Sequence, residues 1–196
     1  MEQFVRKLGH FFFKRRSYAS LPIFAFFFFF GRTSIISFIL ALCLIAFGEF
    51  IRIWAVSFSG PATRTRTIKA PFLATDGPYQ IMRHPIYFGN FFVGLGFTLS
   101  LTNNLYHILV FLIFFFIFYG SIIFAEEDFL ENKFQDEWRN YKQKVPMIIP
   151  KKLRKVSFGD LKMSLKSERS TFITISIILI LSSIKIFVIP YARISF

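Results

Sequence analysis

The sequence predicts an all-α fold, a polytopic integral-membrane bundle of about five transmembrane helices. Three observations carry that prediction. Of the 196 residues, 54% are hydrophobic and 31 are phenylalanine. The apolar residues stand in long blocks, whereas a soluble domain of this length would spread them thinly around one core. Positive charge is also segregated. With the N-terminus inside, segments 1–16, 59–85 and 126–171 hold 5, 4 and 11 lysines and arginines, 20 of the 24 in the chain. That distribution obeys the positive-inside rule.

The first segment carries Arg6, Lys7, Lys14, Arg15 and Arg16. It has the look of a signal-peptide n-region, but no small-residue cleavage site follows and further spans come directly after. It is read as part of the mature chain. The span at 17–30 is short for a bilayer core of roughly 30 Å, which takes about 20 helical residues. Its phenylalanine run at 26–30 reads as lipid-facing bulk.

After the turn Gly31-Arg32-Thr33-Ser34, a second span covers 35–58. It contains Glu49 and Arg52, three residues apart and therefore neighbours on one helix face. Two readings stand: a self-neutralising pair near the interface with Trp54 in the aromatic belt, or an Arg52 that faces a polar cavity. The lone Cys43 is mid-span, which leaves no disulfide framework or thiolate metal cluster, and it reads as a small buried hydrophobe. No metal site is expected.

A polar stretch leads to a third span at 86–101, a turn at Thr102-Asn103-Asn104 and a fourth span at 106–125. Beyond it Phe129, Leu130, Phe134, Trp138 and Tyr141 recur at three- and four-residue intervals, the stripe of an amphipathic helix. That helix would lie on the membrane surface or fold back over the mouth of the hairpin. Pro146 and Pro150 end it, and Lys151, Lys152, Arg154 and Lys155 are placed to touch anionic lipid. A last span covers 172–190. There is no internal repeat. The organisation is an N-terminal transmembrane hairpin (1–58), a core (59–150), and a basic linker with an extra C-terminal helix (151–196). The net charge of +13 is explained by topology and anionic headgroups rather than by nucleic acid.

Two polar clusters flank the central hairpin. Pro85 suits the first turn of a helix, so Arg83 and His84 stand just outside the third span. Helix N-terminal N–H groups and the Arg83 charge together make an anion site. Tyr87 falls three residues past His84 and four past Arg83, on the same face. Gly89 permits close approach of another backbone or a ligand, and the Gly77-Pro78 turn aims Tyr79 at the same spot. Glu126 and Glu127 lie where a helix C-terminus prefers cations, so a cationic ligand or Arg83 must offset them. The hairpin brings both clusters to one depth, and a ligand with a carboxylate and an ammonium group fits between them. Singly, each residue would be a snorkelling charge, an interfacial histidine or a solvated acid. Two opposed clusters at one membrane level make a site, without naming its reaction.

At these residues the chain resembles the isoprenylcysteine carboxyl methyltransferases, integral-membrane enzymes related to the phospholipid methyltransferases. The resemblance runs from about residue 48 to 150. It rests on Gly48…Arg52-Ile53-Trp54-Ala55, Leu73-Ala74-Thr75-Asp76-Gly77-Pro78-Tyr79, Arg83-His84-Pro85-Ile86-Tyr87-Phe88-Gly89, and Glu126-Glu127-Asp128-Phe129-Leu130…Phe134…Trp138…Tyr141…Val145-Pro146…Pro150. It implies S-adenosyl-L-methionine bound in a cytoplasm-facing pocket between helices by Leu73, Ala74, Tyr79, His84, Pro85, Ile86, Tyr87 and Glu126. The charge argument adds Arg83 and Glu127. Methyl transfer from a sulfonium is then mostly a matter of positioning, with a lipophilic or prenylated acceptor delivered from the bilayer and no general base assigned.

Two positions depart from the family's eukaryotic members. Ile122 stands where they carry an arginine thought to meet the substrate carboxylate, and Pro71 where they carry a histidine. The acceptor therefore stays open among a prenylcysteine carboxylate, a phospholipid amine and a small thiol. Two readings from other classes compete: a sterol-reductase-like protein using NADPH, which the small number of spans disfavours, and a non-enzymatic lipid-binding membrane protein. The expected location is a multi-pass membrane protein with its N-terminus and cofactor site cytoplasmic.

Overall fold

Two polar turns cut the apolar chain into antiparallel helices. In the first, the Ser34 hydroxyl accepts the Ser37 N–H at 3.2 Å and starts a helix at Ile35. In the second, the Asn104 side-chain oxygen accepts the Tyr106 N–H at 2.8 Å. The Asn103 N–H donates to the Arg32 carbonyl at 2.8 Å, so the two turns are stitched together at one end of the bundle. The structure, a computed structural model, describes residues 2–16, 18–61, 68–149 and 157–187. Its helices are α1 (Glu2–Arg15), α2 (Leu21–Phe30), α3 (Ile35–Ser59), α4 (Pro85–Leu101), α5 (Leu105–Lys144), α6 (Leu161–Ser167) and α7 (Arg169–Phe187), with a 3₁₀ turn at Gly77–Gln80 before α4. No strand occurs among the described residues.

Helices α3, α5 and α7 are each long and apolar enough to cross a membrane, while α2 and α4 are apolar but shorter. The chain is a membrane protein. At 1.5 Å per residue α4 spans about 25 Å and α2 about 15 Å. The basic N-terminal segment forms α1, a helix that its charge pattern alone does not announce. It lies antiparallel along α5. Arg6 meets Asp128 at 3.0 Å, and Phe13 is buried against Phe118, Ile122 and Ile123. The phenylalanine run at 26–30 divides: Phe29 and Phe30 face outward as expected, but Phe27 is fully buried with Leu101, Phe111 and Phe115. Cys43 corrects an expectation too. It is exposed on the outer surface of α3 rather than buried, because Ala41 and Ile45 take the inward positions on that face.

Helices α3 and α4 pack closely because Gly48 and Gly89 face each other. A Cβ on Gly48 would lie 2.6 Å from the Gly89 carbonyl oxygen, and one on Gly89 would lie 2.6 Å from Arg52 Cγ. The close approach expected at Gly89 is thus to α3. Helix α7 runs beside α4 and buries only Ile175 and Ser182. Ser182 meets the Ser100 hydroxyl at 3.0 Å. At the far end Lys185 Nζ donates to the carbonyls of Phe27 at 3.0 Å, Leu101 at 3.3 Å and Phe28. A cation there neutralises the C-termini of α2 and α4 together.

The amphipathic stripe beyond Ala125 continues α5, with one break at Gln135, whose φ of 44° lies in the left-handed region. The redirected last turns bury Trp138, Tyr141 and Val145 against Leu73, Leu130 and Phe134. The helix has therefore folded back over the mouth of the hairpin. Pro146 follows its end; Pro150 and the basic residues Lys151, Lys152, Arg154 and Lys155 lie outside the described residues.

Candidate functional site

The N-terminus of α4 and the returning end of α5 form one unit. The N–H groups of Arg83 and His84 donate to the carbonyls of Pro146 and Met147, at 2.9 and 3.1 Å. The Tyr141 hydroxyl donates to the Tyr79 carbonyl at 2.7 Å. Upstream, Gly77 adopts φ +58°, with the Phe58 ring packed where a side chain would go. That turn delivers Tyr79 to the site as the sequence implied.

Glu127 is the hub of the charges. Its Oε1 accepts from Arg83 Nε at 2.9 Å and lies 2.8 Å from Arg83 Nη2 and 3.1 Å from His84 Nε2. Lys142 Nζ is 3.1 Å from its other oxygen. Arg83 also donates to the Val145 and Lys142 carbonyls, at 2.7 and 3.1 Å. Burial alone would raise the Glu127 pKa, but His84 and Arg83 outweigh it and hold the carboxyl down at about 2. Burial alone would lower the His84 pKa, but Glu126 and Glu127 outweigh it and raise the imidazole above its usual value. Burial raises the Tyr79 phenol, so it stays neutral.

Glu126, one residue earlier, turns into a cavity. Its Oε2 lies 3.6 Å from His84 Nδ1. The cavity has a volume of about 390 Å³ and falls within the range of small-molecule sites. Tyr79, Arg83, His84, Pro85, Ile86, Tyr87 and Glu126 line its polar end, and Phe24, Phe97, Phe111, Phe115 and Tyr119 its apolar end. A smaller lobe of about 60 Å³ shares Tyr79, Arg83, His84 and Glu126 and adds Leu73, Ala74 and Trp138. The structure therefore gathers nine of the ten candidate residues around two adjoining lobes. The tenth, Glu127, lines neither and instead clamps Arg83 and His84.

Arg52, for which the sequence left two readings, fulfils both. It pairs with Glu49 at 3.2 Å, and it also faces the cavity. It donates further to Asn90 at 2.6 Å, Glu168 at 2.8 Å and Thr171 at 3.2 Å. Glu168 is fully buried; nothing in its polar neighbourhood in the sequence marks it as Arg52's partner. Trp138 belonged to the apolar stripe, yet its indole N–H is buried with no hydrogen-bond acceptor among the described residues, in the wall of the smaller lobe.

The profile of the phospholipid methyltransferase family matches residues 36–137, just over half of the chain. The chain belongs to the phospholipid methyltransferase family. The matched region runs from α3 into the last part of α5 and holds all ten candidate residues, while Arg16 and α7 lie outside it. Among curated proteins, this family member is 33% identical over 114 residues to a protein-S-isoprenylcysteine O-methyltransferase of Schizosaccharomyces pombe, covering 56% of the chain and 48% of the relative. It is 32% identical to protein-S-isoprenylcysteine O-methyltransferase B of Arabidopsis thaliana, covering 56% of the chain and 57% of the relative. It is 30% identical to a protein-S-isoprenylcysteine O-methyltransferase of Saccharomyces cerevisiae, covering 57% of the chain and 48% of the relative. The chain spans about half the length of these curated relatives. No solved structure matches it.

Proposed function

We propose that this protein is an S-adenosyl-L-methionine-dependent methyltransferase of the isoprenylcysteine carboxyl type, acting on a prenylated cysteine at the membrane surface. One observation carries the reading: a single cavity has opposed charges at one end and aromatic rings at the other, in a member of a methyltransferase family. The donor set fits the cofactor. Glu126 offers a carboxylate toward the cavity for an ammonium group, Arg83 and His84 offer cations for a carboxylate, and Trp138 offers a buried N–H in search of an acceptor. Leu73, Ala74, Tyr79, Pro85, Ile86 and Tyr87 supply the apolar and aromatic walls around them.

When bound, the cofactor supplies an electrophilic methyl group to an acceptor oxygen. The chain's own residues then position and enclose. Glu127 fixes Arg83 and His84, so their charges are pre-arranged, and the redirected end of α5 walls the smaller lobe with Trp138. A carboxylate acceptor arrives already ionised, so no side chain has to remove a proton.

Binding of radiolabelled S-adenosyl-L-methionine to detergent-purified protein tests this reading. Wild type binds saturably, and His84→Ala with Glu126→Ala lowers affinity at least about tenfold, the loss of two charge-assisted contacts. No binding to wild type, or undiminished binding to the double variant, overturns it. Orientation follows the charge distribution: N-terminus and site are cytoplasmic. Reporter fusions after Ser59 read cytoplasmic and after Asn103 external; the inverse pattern contradicts that orientation.

A further inference from the structure

Arg52 belongs to α3, yet its guanidinium ends among side chains of α4 and α7. Its stem crosses α4 over Gly89, where an added Cβ would lie 2.6 Å from Arg52 Cγ. Nη1 then donates to Asn90 Oδ1 at 2.6 Å, and Nη2 to Thr171 Oγ1 at 3.2 Å. A guanidinium has only donors, so the Asn90 atom it meets is the oxygen, and Thr171 likewise accepts through its hydroxyl oxygen. Asn90 keeps both Nδ2–H donors and Thr171 its O–H, and neither has an acceptor among the described residues. Arg52, Asn90 and Thr171 all line the larger cavity.

Charge and position decide what these donors can meet. Arg52 already faces Glu49 at 3.2 Å and Glu168 at 2.8 Å. A further anion gains little beside two carboxylates, whereas a neutral carbonyl oxygen supplies the missing acceptor. Asn90 stands three residues past Tyr87 on one face of α4, about 4.5 Å further along the axis. Tyr87 lines the polar end of the cavity with His84 and Glu126. The carbonyl therefore belongs within a few bonds of the acceptor's reacting group. An N-acylated prenylcysteine has that layout, since its amide stands next to its carboxylate. A glycerolipid amine does not, because a phosphate separates its amine from its ester carbonyls.

We propose that Asn90 and Thr171, both anchored by Arg52, hold the amide carbonyl of an N-acylated prenylcysteine and select against acceptors that lack one. This rests on the methyltransferase reading and deepens it. Both are positioning residues, set one helical turn from the polar end. Half of the subsite comes from α7, which lies outside the region the family profile matches.

The test uses the full chain in detergent with two probes, N-acetyl-S-farnesylcysteine and S-farnesyl-3-mercaptopropionate. The second keeps the tail and the carboxylate but has no amide. Wild type shows a KM about fivefold or more lower for the acetylated probe, the scale of a neutral hydrogen bond. Asn90→Leu and Thr171→Val each raise that KM about threefold or more and narrow the ratio between the probes. Thr171→Ser keeps the hydroxyl and the ratio, as a hydrogen-bond role predicts and a packing role does not. S-adenosyl-L-methionine affinity within about twofold of wild type marks each variant as folded. Equal wild-type KM values for the two probes overturn the inference, even where a variant fails to fold. So does an undiminished ratio in both Asn90→Leu and Thr171→Val, or methylation of neither probe by protein that binds the cofactor. In each of these cases the methyltransferase reading stands. Failure of wild type to bind the cofactor overturns both.

Discussion

Arg83 and Glu127 meet twice through one oxygen: Nε and Nη2 of Arg83 lie 2.9 and 2.8 Å from Glu127 Oε1. The pair is largely buried, with 8% and 12% of the side chains exposed, and it joins the start of α4 to the end of the α5 crossing. Glu127→Gln keeps the shape and removes the charge opposite Arg83, His84 and Lys142. Breaking a buried pair on one side costs about 3 kcal/mol. A clear fall in the thermal midpoint of the detergent-solubilised protein is expected, and an unchanged midpoint would show that the clamp is solvated.

The same clamp gives stability a defined dependence on pH. The Glu127 pKa is lowered when folded, so its contribution is present above the ordinary value of 4.5 and lost as pH falls toward about 2. The His84 pKa is raised, so its contribution is full below 6.5 and lost as pH climbs through the raised value. The midpoint difference between wild type and His84→Gln is therefore largest between these limits and shrinks in alkaline buffer. A difference that widens with pH contradicts the paired-imidazole geometry.

Most of this architecture could be read from residue pattern. The boundaries of α3 and α4 follow directly from Ser34, Pro85 and the apolar runs, and Arg83, His84 and Glu126 were legible because charges at a membrane edge stand out against their surroundings. Helix α1 was not legible, since its basic residues obscured the phenylalanines and Gly9 that let it lie on α5. Arg52 and Glu168 are 116 residues apart, and no local period connects them. Trp138 hid within a stripe whose ordinary meaning is packing.

Gly48 and Gly89 set the spacing of α3 against α4. Gly48→Leu places a side chain against the Gly89 carbonyl and the Val93 backbone, both closer than 3 Å to the first added carbon. Overpacking of this kind costs about 1–3 kcal/mol. Lower yield of monodisperse protein and a depressed midpoint are expected; Cys43→Leu, on the outer face of the same helix, serves as the matched control and changes neither.

Arg52 and Glu168 tie α7 to the core at 2.8 Å. In a double-mutant cycle of Arg52→Met and Glu168→Gln, thermal or denaturant unfolding in detergent yields a coupling of about 2 kcal/mol. Additive effects of the two single changes would mean that α7 is held by its remaining contacts, Thr171, Ile175, Ser182 and Lys185 among them.

Helix α5 is a graduated rod. Phe111 and Glu126 both line the larger cavity, and the helix between them is unbroken, since its one irregularity falls later, at Gln135. Fifteen residues of α-helix fix their axial separation at about 22 Å. On the proposed function, a lipophilic acceptor lying along this cavity would be measured against a rigid scale. A short tail would stop before the Phe111 mark and leave rings unfilled, and a long one would overrun it toward the turn where Thr102 meets His107. Tail length, on that reading, would be gauged by one helix rather than by the sum of many contacts.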